Sequence, residues 1–306
     1  MKLFEFAENF LDEEKCKFYF RDLRIKEGVV CKKCGCKKHY WLKSKSQFQC
    51  SSCGFRTTLK SGTVMENSRL SFKKWFFIMF LMTNTKKGIS ASEMQRQVGH
   101  SRYKTIWAIM HRLRDIMGKR DDLYQLEDMV EFDEAYFRIE TPKIKQENLK
   151  RGRGSQRQQN VAVMAESIPI EDIETGKVSN QCRYFKMKVL DSQKSESINQ
   201  VVESNLEKQT IVFSDKSTSY FNIGEYVEIH IAEKSSKETS IKTLGWAHIA
   251  IANAKRNFLG VYHKIKGKYL QNYLNEFVYK LNRRYLKSIF NRLLVACVYP
   301  YWQTSA

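Results

Sequence analysis

The sequence has little of what marks a disordered, fibrous or membrane-spanning protein. Only three of its 306 residues are proline and 14 are glycine, and it contains no internal repeat or tract of low complexity. The longest apolar run, from Trp75 to Met82, is about half as long as the roughly 20 residues that a membrane-spanning helix requires. The N-terminus shows no secretory signal pattern. We therefore expect a soluble, cytoplasmic protein.

Acidic residues are scarce relative to basic ones. The chain has 33 Asp and Glu against 53 Lys and Arg, which gives a formal net charge of +20. With 42% hydrophobic and 13% aromatic residues, it is nevertheless long and apolar enough to bury a core. Each Lys or Arg that contacts a phosphate of a nucleic acid releases condensed counterions. An excess of basic residues of this size in a folded protein therefore favours a polyanionic partner, and nucleic acid is the first candidate.

The spacing of the cysteines indicates a metal site. Cys31 and Cys34 form one C-x2-C pair, and Cys50 and Cys53 form another, with a glycine directly after each pair. Two such turns present four thiolates to a tetrahedral Zn²⁺, and a shell closed by four cysteines is structural rather than catalytic. Cys36 is an alternative to Cys34 as a ligand. The other three cysteines have apolar neighbours, and we expect them in the core: Cys16, Cys182 and Cys297.

Two consecutive helices are predicted after residue 90. Ser90 and Glu93 match a capping box, which predicts a helix to about Val98. A glycine turn follows, and the next segment keeps apolar residues at helical spacing up to Met117. A short helix, a turn and a longer helix form the helix-turn-helix outline, and an ordinary helical hairpin is the alternative. The exposed start of the second helix would present three side chains to DNA: Arg102, Tyr103 and Lys104.

From about residue 123 the pattern changes to short β-branched or aromatic runs with intervening helices, which predicts a mixed α/β domain. Within the strand from Met129 to Phe137, alternation places Glu131 and Asp133 on one face. A second apolar strand ends at Asp215. Burying an acidic side chain on a strand costs free energy unless it binds a cation, and Mg²⁺ prefers carboxylate oxygens as ligands. Such a pair could hold two divalent ions for phosphodiester chemistry.

Together, these features carry a resemblance to a known family. Several motifs occur in a characteristic order: the two cysteine pairs, Ser61-Gly-Thr63, Lys87-Gly-Ile-Ser90, Glu131-Phe-Asp-Glu134, Arg151-Gly-Arg-Gly154 and a tail from Tyr269 to Arg284. The chain resembles insertion-sequence transposases of the ISXO-like group. The resemblance implies N-terminal helices and a zinc ribbon in residues 1–62 and a helix-turn-helix region in residues 63–122. It also implies a ribonuclease-H-like DDE catalytic domain with C-terminal helices in residues 123–306, with a mixed sheet flanked by helices.

The resemblance also implies a catalytic triad in which Asp133 and Asp215 bind Mg²⁺ or Mn²⁺. Many relatives have a glutamate on a late helix, followed seven residues later by lysine. An ungapped match of Gly260-Val-Tyr-His263 places His248 at the acidic position and Lys255 at the lysine. Asn253 is the other candidate for the third position. At about 100° per residue, Asn253 lies roughly 140° from His248 around the helix, so the two cannot comfortably face one metal pair.

The implied function is that of a DNA transposase, which binds the ends of an insertion sequence and catalyses metal-dependent strand cleavage and strand transfer. The implied partners are element ends and target DNA, bound by a homo-oligomer in the bacterial cytoplasm near the nucleoid. Further DNA contacts are expected from Lys255 and Arg256 and from a basic hairpin with Lys150, Arg151 and Arg153. Because the third position is not acidic, a catalytically inert, domesticated DNA-binding regulator is the alternative. A structure-specific nuclease on the same fold is another.

Overall fold

The structure is a computed structural model that describes residues 1–141, 149, 154–171, 178–234, 236 and 243–298. These residues form two compact units. The first comprises Met1–Arg120 and the chain from Tyr285 onward, and the second comprises Asp121–Arg284. None of the helices in the described ranges is long and apolar enough to cross a membrane.

Helices and strands occur in the following order. The first part of the chain forms α1 (Leu3–Phe10), α2 (Glu13–Glu27), β1 (His39–Leu42), β2 (Gln47–Cys50), β3 (Arg56–Thr58), α3 (Phe72–Asn84), α4 (Ala91–Val98) and α5 (Tyr103–Asp121). The second part forms β4 (Met129–Arg138), β5 (Gln158–Glu171), β6 (Val178–Val189), α6 (Ser195–Asn205), β7 (Ile211–Asp215), β8 (Ile229–Glu233), α7 (Gly245–Val261), α8 (Leu270–Asn282) and α9 (Ile289–Val298).

The first unit contains a small antiparallel sheet, in the order β1-β2-β3, and a helical core built from aromatic rings. Phe6 stacks on Phe80 with ring centroids 4.3 Å apart, and Phe290 meets Phe6 edge-on at 5.6 Å. Phe290 is fully buried and belongs to α9. The sequence-based division groups this last helix with the catalytic domain, whereas in the structure it packs with α2 and α3, because its apolar face completes this aromatic core.

The second unit is built on a five-stranded mixed sheet in the order β6-β5-β4-β7-β8. The first three strands along the chain, β4, β5 and β6, pair antiparallel, whereas β7 pairs parallel to β4 and β8 pairs parallel to β7. The sequence pattern predicts a mixed α/β domain, and this arrangement, with helices on both faces, is the ribonuclease-H-like fold that the family resemblance implies. It places β4 at the centre of the sheet, with β7 beside it.

Alternation along β4 decides which side chains meet which helices. Val130 and Phe132 pack in the core that α6 covers, whereas Ala135 and Phe137 pack in the core that α7 and α8 cover. Because side chains of a strand point to opposite faces in turn, Glu131 and Asp133 lie on the α7 side. The predicted sharing of a face by these two acids is therefore in agreement with the core packing.

Candidate active site and metal centre

The four cysteines of the two C-x2-C pairs meet at one point in the first unit. The Sγ atoms of Cys31 and Cys53 are 3.6 Å apart, those of Cys34 and Cys50 are 3.5 Å apart, and all four lie within 4.8 Å of one another. A tetrahedral shell with Zn–S bonds of about 2.3 Å separates its sulfur atoms by roughly 3.8 Å. The cluster therefore has the donor type and the spacing of a zinc site.

The glycine after each pair allows the turn that brings the sulfur atoms together. The backbone N–H of Gly35 donates to the carbonyl of Cys31 at 2.9 Å, and that of Gly54 donates to the carbonyl of Cys50 at 3.1 Å. Both glycines have positive φ, 71° and 69°, which side chains with a Cβ rarely adopt. The two cysteine turns thus follow from local sequence.

Backbone N–H groups lower the pKa of both Cys31 and Cys34, whereas the neighbouring thiols lower the pKa of Cys31 and raise that of Cys34. Although burial raises it, the pKa of Cys31 is lowered to about 7, because the N–H groups of Cys34 and Lys33 donate to its sulfur. The N–H of Cys36 likewise lowers the pKa of Cys34, but the adjacent thiols, first among them Cys53, raise it to about 12. Four thiols this close need a cation before all of them can ionise.

Cys36, the alternative ligand, lies outside the four-sulfur group. Its Sγ accepts a hydrogen bond from the backbone N–H of Lys38 at 3.4 Å and lies 3.7 Å from Ser51 Oγ. The structure therefore brings Cys34 to the cluster and leaves Cys36 beside it.

In the second unit, Asp133 and Asp215 occupy neighbouring positions at one edge of the site. The parallel register of β4 and β7 runs to Phe132 opposite Ser214, so the two aspartates are the next residues on each strand. Residues in register on adjacent strands point to the same face. Tertiary folding has thus brought together the two acids that the sequence singles out.

Burial and like charges shape the ionisation of this pair. Burial raises the pKa of Asp133, and the charges of Asp215 and Glu134 raise it further. The N–H of Glu134, which donates to Asp133 Oδ1 at 2.7 Å, acts in the opposite direction, as does His248. Two carboxylates in one partly desolvated site repel each other, and a bound cation relieves that repulsion.

The structure separates the two candidates for the third position. His248, in the first turn of α7, places its Nε2 atom 3.2 Å from Asp133 Oδ2. Asn253 is exposed, and its Oδ1 accepts a hydrogen bond from Arg256 at 3.0 Å. Lys255 lies along the same helix, with its ammonium 5.8 Å from the centre of the Phe137 ring. The described contacts therefore bring His248, and not Asn253, to the aspartate.

Two family models match the chain. Residues 125–282, just over half of the chain, match the family model described as the ISXO2-like transposase domain. Residues 11–56 match the model described as the transposase zinc-ribbon domain. The chain belongs to the ISXO2-like transposase family. Both the zinc ribbon and the DDE domain that the resemblance implied are thereby confirmed at the level of the family.

One curated protein to which this chain is similar is an uncharacterized protein in transposable element ISH50 from Halobacterium salinarum. It is 26% identical over 151 residues, which is 48% of this chain and 49% of the relative. The match therefore spans about half the length of the curated relative. A solved structure, the Mos1 transposase paired-end complex with left transposon end, aligns over 72% of this chain and 77% of its own, with 9% identity and a TM-score of 0.22. With a TM-score this low, the alignment supports no conclusion about the fold of this chain.

The residues predicted to contact DNA lie partly within and partly outside the described ranges. Arg102, Tyr103 and Lys104 are exposed at the start of α5. Gly99 ends α4 with a φ of +60°, and its N–H returns to the carbonyl of Arg96. The two helices and the turn are thus present as expected, and their reading of DNA stays a prediction. Three further residues lie outside the described ranges: Lys150, Arg151 and Arg153.

Only half of the predicted capping box forms at the start of α4. Ser90 Oγ accepts from the backbone N–H of Glu93 at 3.1 Å, as expected. The carboxylate of Glu93 instead accepts from the side chains of Arg96 and Gln97, so it does not reach back to Ser90. The serine is sufficient to satisfy one free amide of the first turn.

Sequence reasoning missed Tyr220 as a member of the aspartate site. Its ring is buried and meets Phe132 edge-on, with centroids 5.2 Å apart. Burial raises the pKa of its hydroxyl, and the charges of Glu134, Asp215 and Asp133 raise it further. The hydroxyl is therefore protonated beside the carboxylates. Nothing in the local sequence pattern distinguishes this tyrosine from an ordinary core residue.

The aspartate site is more open than the cysteine cluster. In the part of the chain that the structure describes, the four cysteines are the only set of three or more potential ligands within 4.8 Å of one another. Asp133, Asp215 and His248 are spread more widely, as suits a pair of ions about 3.5–4 Å apart. Two carboxylates suit Mg²⁺ or Mn²⁺, and the imidazole nitrogen favours the softer Mn²⁺. The donor set fits divalent cations.

Proposed function

We propose that this transposase-family protein is a DDE-type DNA transposase that binds the ends of an insertion sequence and catalyses metal-dependent cleavage and transfer of DNA strands. One observation carries the proposal: Asp133 and Asp215 directly follow the last paired residues on two neighbouring strands of a ribonuclease-H-like sheet, and His248 contacts Asp133 at 3.2 Å. Membership of the transposase family supports the same reaction class.

In this proposal Asp133 and Asp215 hold the ions, and His248 is the third ligand. When bound, such ions activate the attacking hydroxyl and stabilise the leaving oxygen of an in-line displacement at phosphorus. The protein holds both oxygens of Asp133, because the Glu134 amide donates to Oδ1 and His248 meets Oδ2. The carboxylate is therefore oriented before an ion binds, which lowers the reorganisation that catalysis requires.

DNA binding belongs to the same proposal. The zinc ribbon and the α4–α5 pair, within residues 1–122, recognise the element ends, with Arg102, Tyr103 and Lys104 at the exposed start of the reading helix. Lys255 and Arg256 contact phosphates near the catalytic site. A net charge of +20 supports a large phosphate-contacting surface. A homo-oligomer is expected, because two ends must be held together.

The test is cleavage of DNA that carries the repeats flanking the gene, with Mg²⁺ or Mn²⁺. Asp133→Asn and Asp215→Asn are expected to abolish the new 3′-hydroxyl ends and to leave end binding intact. His248→Ala is expected to reduce cleavage strongly, whereas Asn253→Ala retains it. Glu207→Gln is the matched control, because it removes an exposed carboxylate that precedes the start of β7, whereas Asp215 lies at the end of that strand.

Three outcomes would contradict the proposal. Tight end binding without cleavage in either metal would favour the inert regulator, which the absence of a third acid keeps open. Metal-dependent cutting of branched DNA regardless of end sequence would favour a structure-specific nuclease. Cleavage that survives in both aspartate variants would place the chemistry elsewhere in the protein.

A further inference from the structure

Glu131 is a buried carboxylate that the proposed reaction does not use. Only 4% of it is exposed, and it lies in the middle of the sheet, opposite Ala165 on β5 and Phe213 on β7. It stands two residues before Asp133 on β4 and on the same face, turned towards α7. A buried carboxylate is costly unless hydrogen bonds satisfy it, so its partners explain why it is tolerated.

The partners of Glu131 are backbone amides in the first turn of α7. Glu131 Oε2 accepts from the N–H of Ala247 at 2.9 Å, and the N–H of Trp246 donates to the same carboxylate. The residue at the helix's own cap position, Leu244, provides no side-chain hydrogen bond. The first N–H groups of any helix lack partners within the helix, and a negative charge there is favourable. Glu131 thus caps α7 from the neighbouring strand.

The capped turn is the turn that carries His248. Ala247 precedes His248 directly, and Glu131 and Asp133 are separated by about 7 Å along β4. One strand therefore meets one helical turn at two points, Glu131 on Ala247 and Asp133 on His248. A shift of α7 along its axis by one residue would displace His248 by about 1.5 Å. That displacement is enough to break the contact of 3.2 Å between His248 Nε2 and Asp133 Oδ2.

We infer that Glu131 is a positioning residue: by attaching the first turn of α7 to β4, it sets His248 against Asp133. The inference rests on the proposed function for its effect on DNA cleavage. The attachment itself is a property of the folded protein and can be measured without DNA or metal.

The experiment compares Glu131→Ala with Glu131→Gln, which keeps an acceptor oxygen of the same shape. Glu166→Gln is the matched control, because Glu166 is also a buried carboxylate of this sheet that accepts a backbone N–H, from Glu127 at 3.1 Å. In Glu131→Ala we expect hydrogen exchange at the Trp246 and Ala247 amides to accelerate and the His248 imidazole signals to shift in NMR spectra. Glu131→Gln restores most of both, and Glu166→Gln changes neither.

Cleavage provides the second readout. With unchanged end binding, Glu131→Ala is expected to lower the single-turnover rate by about 100-fold, the loss typical of a displaced catalytic group. In a His248→Ala background, the same substitution should have little further effect, because a residue that acts through His248 has nothing left to position. If the alanine variant does not fold, Glu131→Leu, which fills the same space without an acceptor oxygen, provides this comparison.

The outcomes separate this inference from the proposed function. Unaltered His248 signals and amide exchange in both Glu131 variants would overturn the positioning role, whatever the cleavage result. Equal rate losses with and without His248 would reduce Glu131 to a residue that only stabilises the fold. If the wild-type protein does not cleave DNA at all, the proposed function fails, and the NMR and exchange results still decide the placement of His248.

Discussion

Replacing Cys34 by serine should cost the protein its zinc, whereas replacing Cys36 should not. The two cysteines are separated by one residue, which makes them a matched pair of substitutions in one turn. Cys34 lies 3.5 Å from Cys50 in the four-sulfur group, whereas Cys36 accepts a backbone hydrogen bond outside it. Spacing in the sequence allows either as a ligand, so the comparison tests the tertiary assignment directly.

The expected magnitude follows from sharing the binding free energy among four thiolates. Structural zinc sites contribute an apparent 10–16 kcal/mol, which is roughly 2.5–4 kcal/mol for each ligand. Loss of Cys34 should therefore weaken zinc binding by about 100- to 1,000-fold. Because binding and folding are coupled in such small modules, the ribbon should also lose order. Phe48, which is 2% exposed and meets Trp41 at 4.9 Å, would then become accessible.

Zinc content after dialysis against a graded series of chelator concentrations measures the affinity, and hydrogen exchange over residues 31–58 measures the folding of the ribbon. The wild-type protein and Cys36→Ser should retain zinc at chelator concentrations that strip Cys34→Ser. Loss of zinc from Cys36→Ser together with its retention in Cys34→Ser would refute the assignment. Zinc-free protein with a fully protected ribbon would refute the claim that the metal supports the fold.

Two further predictions concern the first unit. Arg102→Ala and Lys104→Ala should each weaken binding to element ends more than binding to random DNA. Where a phosphate contact is lost, the slope of log affinity against log salt concentration should also become shallower by about one. Lys119→Ala, at the far end of α5, is the control, and equal losses of affinity for both DNAs would contradict the placement of the reading helix. Burial and then the charge of Arg114 lower the pKa of His111 to about 3, so below about pH 6.5 the unfolded state binds the extra proton and stability falls. In urea unfolding, this residue should lower the free energy of unfolding by about 2 kcal/mol between pH 7 and pH 5, and His111→Leu should lack that decrease. The same pH dependence in both proteins would refute the prediction.

Features set by neighbouring residues could be predicted from the sequence alone. The two C-x2-C turns depend on backbone geometry over five residues, and a glycine with positive φ completes each. The start of α4 depends on Ser90, which accepts from the amide three residues later. Alternation along β4 placed Glu131 and Asp133 on one face, because successive side chains of any strand point in opposite directions.

Contacts between distant segments were decided only by the tertiary structure. Asp133 lies beside Asp215 because β7 pairs in parallel with β4, and that pairing depends on how both faces of the sheet are covered. The contact of His248, rather than Asn253, with Asp133 depends on the rotation of α7 against β4, and the hydrogen bond from the Ala247 N–H to Glu131 has no signature in sequence. The last helix joins the first unit because Phe290 completes an aromatic core there. Local backbone geometry thus follows from adjacent residues, whereas these contacts follow from burying apolar faces that no short segment contains.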